Sequence, residues 1–188
     1  MTRSVYYTAT TLDGFIADEH DSLAWLFEQQ IDQGGPGGYE GFIAGIGAMA
    51  MGSTTYAWVR DHMGTTGEPW AYDIPCWVFT HRDFGTPDED VRFVRGTVSE
   101  HREAITASAG DRDVWVVGGG DLAGQFADIG FLDQVVVSIA PVTLGAGRPL
   151  FPRRLDLKLA DHGRNGDFLM ATYDVVGPRE DQPGAGEG

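Results

Sequence analysis

The stretch 113–126 constrains the fold more than any other part of the chain. Val114-Trp115-Val116-Val117 is a short β-branched and aromatic run, the composition of a strand buried on both faces. Gly118-Gly119-Gly120 follows directly, and Leu122, Phe126 and Ile129 then fall at i, i+4 and i+7, on one face of a helix. Strand, glycine turn and helix in that order form the unit from which parallel sheets are built. Glycines at the carboxyl end of a strand leave backbone N–H groups free to meet an anion, and a helix dipole favours negative charge there. The same residues also suit a tight turn with no ligand.

The rest of the chain repeats the alternation. Strands are expected over 5–11, 48–51, 76–80, 91–95 and 132–140, with a short extended piece after the turn at Leu12-Asp13-Gly14. Helices are expected from Leu23 onward, capped by Ser22, and over 39–46, 55–61 and 98–109, with Ser53 or Thr54 and then Ser99 as caps and Gly110 as a stop. Gly34-Gly35-Pro36-Gly37-Gly38 breaks the first helix, and 63–72 and 141–152 read as loops. Asn165-Gly166, between alternating runs over 155–164 and 168–176, is a hairpin signal. The order predicts an α/β fold, a mainly parallel central sheet flanked by helices with a C-terminal antiparallel β hairpin. The length suits one domain over 1–177, followed by an acidic Pro/Gly-rich tail over 178–188 that reads as disordered.

Composition removes several functions. The net charge of −15 argues against nucleic acid and anionic membrane surfaces as partners. There is no apolar run long enough for a membrane span, and the first residues enter a strand without a leader pattern. Cys76 is the single cysteine, among apolar neighbours, and the expected setting is the cytoplasm. The five histidines have no ligand spacing, so no metal is expected; no Gly-x-Ser-x-Gly element and no Walker lysine occur.

Three strands end in small, polar or glycine residues: Met51-Gly52-Ser53-Thr54-Thr55-Tyr56, Phe79-Thr80-His81-Arg82 and Val117-Gly118-Gly119-Gly120. Ligands of open parallel sheets bind outside the carboxyl ends of the strands, so three such ends on one crevice suit a dinucleotide. Hydroxyls and amides at 53–55 would take phosphate, the glycines would let pyrophosphate approach, and Arg82 would supply charge. Asp121 would cap the helix that follows the glycines.

These segments, with Thr11-Leu12-Asp13-Gly14-Phe15-Ile16-Ala17 and Pro141-Val142-Thr143-Leu144-Gly145-Ala146-Gly147, come in the order and spacing of dihydrofolate-reductase-like proteins. From Arg3 to Val176 the chain resembles in particular the reductase domain of the bifunctional riboflavin-biosynthesis deaminase-reductase and its stand-alone relatives. The resemblance implies NADPH as cofactor and hydride transfer to a C=N or carbonyl of a small pterin-, flavin- or pyrimidine-like substrate. It places Ala9 and Ile16 beside the nicotinamide, and Gly52, Ser53, Thr54 and Thr55 at the phosphates. Thr80, His81 and Arg82 would hold the adenosine end, and Gly118, Gly119, Gly120, Asp121 and Leu122 would wrap the pyrophosphate. Asp13 and Ser138 would face the substrate.

The departures from the family pattern are equally specific. Ser53 stands where the first phosphate motif usually has arginine. Tyr7 and Phe15 stand where the riboflavin-type motif has lysine and arginine, which argues against a ribityl-phosphate substrate. Glu28 and Asp32 meet the folate-type carboxylate by position only. What remains is a pocket lined by Tyr7, Phe15 and Trp25, with Trp70 or Tyr72 as a further candidate and Tyr7 or Asp13 as the proton donor. A nucleotide- or pterin/flavin-binding module without catalysis is the alternative. The hairpin over 155–176 offers an edge strand or an apolar face for a homodimer.

Overall fold

The computed structural model describes residues 2–87 and 90–179. The elements in chain order are β1 (Ser4–Thr11), β2 (Phe15–Ala17), α1 (Ala24–Phe27), α2 (Tyr39–Ile43), β3 (Ile46–Gly52), α3 (Ser53–Thr66), β4 (Cys76–Phe79), β5 (Val91–Val94), α4 (Val98–Ala109), β6 (Asp113–Gly118), α5 (Gly120–Asp128), β7 (Gln134–Ala140), β8 (Arg148–Pro149), β9 (Leu155–Asn165) and β10 (Phe168–Pro178).

Eight strands form one sheet in the order β5-β4-β3-β6-β1-β7-β10-β9. Every pair from β5 through β7 is parallel; β10 runs antiparallel to β7 and to β9. Alternate residues of the central strands serve opposite faces, as the pleat requires. Tyr6, Ala48, Ala50, Val114 and Val116 pack with Ile105 and Ala109 of α4 and Leu122 and Phe126 of α5. Met49, Met51, Val78 and Trp115 face the other way, against Tyr56 of α3 and the aromatic groups of α2. A third cluster joins Trp25 of α1 to Ala140, Phe168 and Met170.

Several elements depart from the sequence expectation, each for an identifiable reason. The first helix is a single turn. Beyond it, the Asp167 carboxylate takes the Gln30 N–H (2.7 Å) and the Asn165 side chain takes the Asp32 N–H (2.9 Å), so the hairpin captures backbone groups a longer helix would use. Ser22 still accepts from the Ala24 N–H (3.2 Å). The second helix stops at Ile43 because Ile46 enters β3. α3 starts at Ser53 behind Gly52 and runs to Thr66, absorbing the start of the expected loop, until Gly67 at φ 74° ends it. The cap of α4 is Thr97, not Ser99; Thr97 and Glu100 form a reciprocal capping box. Gly119, not Asp121, caps α5. β8 lies within the expected loop 141–152, and its pairing with β2 joins segments far apart in sequence. Asn165 is the last residue of β9, paired with Phe168, so the turn is Gly166-Asp167. β10 continues through Pro178, and the Arg179 N–H reaches the Arg154 carbonyl (3.0 Å), so the domain extends past 177; residues 180–188 of the expected tail lie outside the described residues.

Gly47 sits at an irregularity in the β3–β6 ladder, and a Cβ there would overlap the Ala109 carbonyl at the end of α4. Gly47→Ala is expected to lower unfolding free energy by about 1–3 kcal/mol, the usual cost of overpacking. Urea denaturation measures it; an unchanged midpoint would show that α4 yields without cost.

Candidate active site

The site begins with the register of the sheet. Gly52 lies opposite Phe79, and Met51 opposite Gly118, so β4, β3 and β6 finish at one edge. β1 and β7 run the same way and finish together at Thr11 and Ala140. The chain moves outward through β3, β4 and β5, then returns to insert β6 between β3 and β1. That reversal is where open α/β sheets form a crevice.

Two helices open onto this edge, α3 after β3 and α5 after β6. Neither has a side-chain cap; Gly52 and Gly119 stand at the two N-cap positions. The contrast is α4, which carries the Thr97–Glu100 capping box. Leading N–H groups of an α-helix need acceptors from outside the helix. Where no side chain supplies them, water or an anion does.

The glycines are arranged as a cradle. A Cβ on Gly52 would come 3.8 Å from the Gly118 carbonyl oxygen and 3.9 Å from the Gly119 nitrogen. On Gly118 it would come 3.9 Å from the Thr55 hydroxyl, and on Gly119 3.8 Å from Ile16 Cδ1. Gly52, Thr55, Gly118, Gly119 and Ile16 are therefore neighbours; Gly52 and Gly119 are half-buried and Gly118 is buried. Gly118 has φ 140°, a conformation that favours glycine. Gly120 differs in kind: a Cβ there would press within 2.5 Å of the Pro149 and Leu150 carbonyls, so packing against 149–150 requires it. The Leu122 side chain is core, leaving only its backbone for a ligand.

Asp121 lies in the first turn of α5. Its carboxylate takes bonds from Arg153 (3.1 Å) and Gln125 (2.9 Å), and Arg153 also bridges to Asp128 (3.0 Å). The cation offsets part of the negative charge beside the cradle. At the neighbouring strand end the buried Thr80 accepts the Arg82 N–H on its hydroxyl (2.9 Å), turning the chain so that His81 and Arg82 are exposed.

Central strands of a parallel sheet are normally covered on both faces. Here Ala9 of β1 and Val117 of β6 are only half-buried, next to the cradle residues. Ser138 is in register with Ala9 on one side and Met170 on the other, buried on that floor. Phe15 is half-buried in β2, whose backbone is fixed to the Thr10 and Thr11 hydroxyls. Trp25 is core, packed with Ala140, Phe168 and Met170, and its Nε1–H has no partner among the described residues.

The two expected proton donors hold loops. The Asp13 carboxylate accepts from the Thr11 hydroxyl (2.5 Å) and the N–H groups of Leu144 (3.0 Å) and Gly145 (2.7 Å). These bonds, the Thr11 hydroxyl first, hold its pKa below the usual carboxylate value, the reverse of what a proton donor needs. The Tyr7 ring stacks on Phe42 (centroids 4.0 Å apart), and its hydroxyl donates to the Gly37 carbonyl (3.2 Å), fixing the glycine tract against β1. Burial, with Tyr39 adding to it, pushes the phenol up to about 12. Among the described residues no three His, Cys, Asp or Glu come close enough to hold a metal ion, and no helix is long and apolar enough to cross a membrane.

One grouping escaped the sequence reading. Phe27 of α1 lies parallel to Trp58 (6.2 Å, 11°) and His62 (5.7 Å, 6°) of α3. Trp58 and His62 are four residues apart and stack on each other, a spacing visible in the sequence. Their approach to Phe27 is tertiary and had no local signal. The Arg153–Asp121 pair was likewise hidden, its members 32 residues apart.

The architecture and crevice define a dihydrofolate-reductase-like reductase fold. The family model for the RibD C-terminal domain matches residues 73–167. The uncharacterized protein YwjB of Bacillus subtilis (strain 168) is 31% identical over 150 residues, 79% of this chain and 82% of that one. The uncharacterized protein YyaP of the same organism is 25% identical over 170 residues, 85% and 87% of the two chains. A putative riboflavin biosynthesis protein from Shewanella sp. PV-4 superposes with a TM-score of 0.76 at 23% identity, covering 92% of this chain and 98% of that one. The bifunctional diaminohydroxyphosphoribosylaminopyrimidine deaminase/5-amino-6-(5-phosphoribosylamino)uracil reductase of Thermotoga maritima gives 0.62 at 16% identity, with 93% of this chain on 57% of that one. The chain belongs to the RibD C-terminal domain family.

The Asp13 clamp makes a pH-dependent prediction. Its folded pKa is depressed, so its stabilisation is full above the unfolded value of about 4 and is lost as pH falls through the folded one. Asp13→Asn is expected to melt below the wild type at pH 7, with the gap closing as pH is lowered from about 5 to 3. Calorimetry across that range measures it, and a pH-independent gap would show that the carboxylate charge is not what holds the loop.

Proposed function

We propose that the protein is an NADPH-dependent reductase of small heterocyclic or carbonyl compounds. The observation that carries the reading is the meeting, at one sheet edge, of two helix N-termini without side-chain caps and a glycine cradle, beside a half-exposed floor on central strands. The cradle suits a pyrophosphate: its donors are backbone N–H groups, its Cβ positions are vacant, and Thr55 adds a hydroxyl. Arg82, exposed just after β4, would meet the 2′-phosphate in place of the arginine that Ser53 replaces. When bound, the cofactor would supply a hydride. Ile16 and Gly119 would flank the ring that carries it, and Ala9 and Val117 would floor the acceptor's place. The protein's contribution is orientation and exclusion of water. Asp13 and Tyr7 hold the surrounding loops.

Saturable NADPH binding, followed by nucleotide fluorescence, is expected for the wild type. Arg82→Ala should weaken it by about one to two decades, the equivalent of about 1.5–3 kcal/mol for a charge-assisted bond, and should leave NADH binding nearly unchanged. No binding of either nucleotide at millimolar concentration would overturn the reading. Binding without NADPH consumption across pterins, flavins and pyrimidines would leave a nucleotide-binding module.

We also propose a homodimer through β9. β9 is the outer strand of the sheet, with Leu157 and Leu159 exposed. Antiparallel self-pairing centred on Ala160 sets Asp156 opposite Arg164 twice by symmetry. Light scattering at micromolar concentration should give twice the 20.3 kDa chain mass, and Leu157→Asp should return it to one; a monomeric wild type would dismiss the dimer.

A further inference from the structure

The segment 148–153 touches three parts of the crevice. Arg148 and Pro149 form β8, which pairs with β2, and the Leu150 N–H reaches the Gly14 carbonyl (2.8 Å). The Leu150 carbonyl takes the Tyr6 hydroxyl (3.1 Å). The carbonyls of Pro149 and Leu150 pack against Gly120 at the start of α5. The segment ends on Arg153, whose side chain lies along α5. Asp121, Gly124 and Asp128 are spaced three and four residues apart, so they share one face of that helix. Arg153 spans the face: Nη2 donates to Asp121 (3.1 Å), Nε to Asp128 (3.0 Å) and Nη1 to the Pro152 carbonyl (3.0 Å).

Gly124 makes room for this side chain. A Cβ there would stand 2.8 Å from Arg153 Cγ and 3.1 Å from its Cζ and Nε. A glycine inside a helix is disfavoured relative to alanine, and here it admits the arginine. With all three guanidinium nitrogens bonded and 30% of the side chain exposed, Arg153 sits in a fitted seat. What the seat does follows from its position. Asp121 lies in the first turn of α5, just behind the uncapped Gly119. Its carboxylate suits the helix by itself, but it opposes any second anion drawn to the same N–H groups and dipole. Arg153 offsets that carboxylate where it stands. Asp128, two turns away, holds the cation from the other end of the helix, where positive charge suits the dipole. In a chain with 28 acidic residues against 13 lysines and arginines, the pair is a local correction of an adverse field.

We propose that Arg153 is a positioning residue of the cofactor site: by neutralising Asp121 at the start of α5 it sets the affinity for the pyrophosphate that NADPH and NADH share. The proposal rests on the reductase reading for the dinucleotide itself. Arg153 acts through Asp121 and not by contact with the cofactor. Its role differs from that of Arg82, which is matched to the 2′-phosphate that only NADPH carries. The two arginines therefore leave different signatures: one governs dinucleotide affinity as a whole, the other the preference between the two nucleotides.

Titrations of the full chain with NADPH and with NADH, followed by nucleotide fluorescence, test this. At low salt Arg153→Ala is expected to weaken both nucleotides alike, by about fivefold, the effect of one charge at the first turn of a helix. Asp121→Asn, a change at an exposed side chain, should tighten both by about twofold or more. The double variant Asp121→Asn/Arg153→Ala should return to within about twofold of wild type, a rescue that mere loosening of 148–153 would not permit. At about 1 M salt, where charges act over about 3 Å, the deficit of Arg153→Ala against wild type should shrink to under about twofold. Unaltered binding in Arg153→Ala, a loss confined to NADPH, or a double variant as weak as Arg153→Ala would overturn the proposal. A wild type that binds neither nucleotide removes the reductase reading and this role with it. Wild-type binding with an unaltered Arg153→Ala removes the role alone.

Discussion

β6 is hydrogen-bonded on both sides, to β3 and to β1, and those two parallel ladders fix almost everything else. They bring together segments more than 60 residues apart in sequence and align their carboxyl ends. The glycine turn after β6 then falls against Gly52 and Thr55 on one side and Ile16 on the other. Without that insertion the three strand ends would be separate turns. With it they share one crevice, beside the half-exposed Ala9 and Val117.

Much of this was legible from the chain alone. Parallel strands declared themselves through β-branched runs followed by helical spacing, and the three polar or glycine strand ends marked the edge where β3, β4 and β6 finish together. The elements that misled are those whose limits depend on distant partners. α1 is cut short by Asn165 and Asp167, more than 130 positions away. β8 exists only because β2 is there to pair with it. The caps failed for a different reason: Ser53, Thr54 and Asp121 are good capping types, but the backbone placed glycine at both positions.

Asp13 and Tyr7 show how much of a side chain's task residue type leaves unsaid. A carboxylate and a phenol beside a crevice invite an acid-base reading. Their hydrogen bonds instead tie the 141–147 loop and the glycine tract to β1, keeping the walls at a fixed height above the floor. What the crevice presents is therefore largely backbone and shape.

The contrast between the boxed α4 and the uncapped α3 and α5 bears on where the chain loosens first. α4 satisfies a leading N–H from the side chain of its own Thr97, while α3 and α5 begin on glycines with no side chain to offer. A side-chain N-cap is worth about 0.5–2 kcal/mol. The two helix starts beside the crevice are therefore the weaker ones, and local opening begins there rather than at α4.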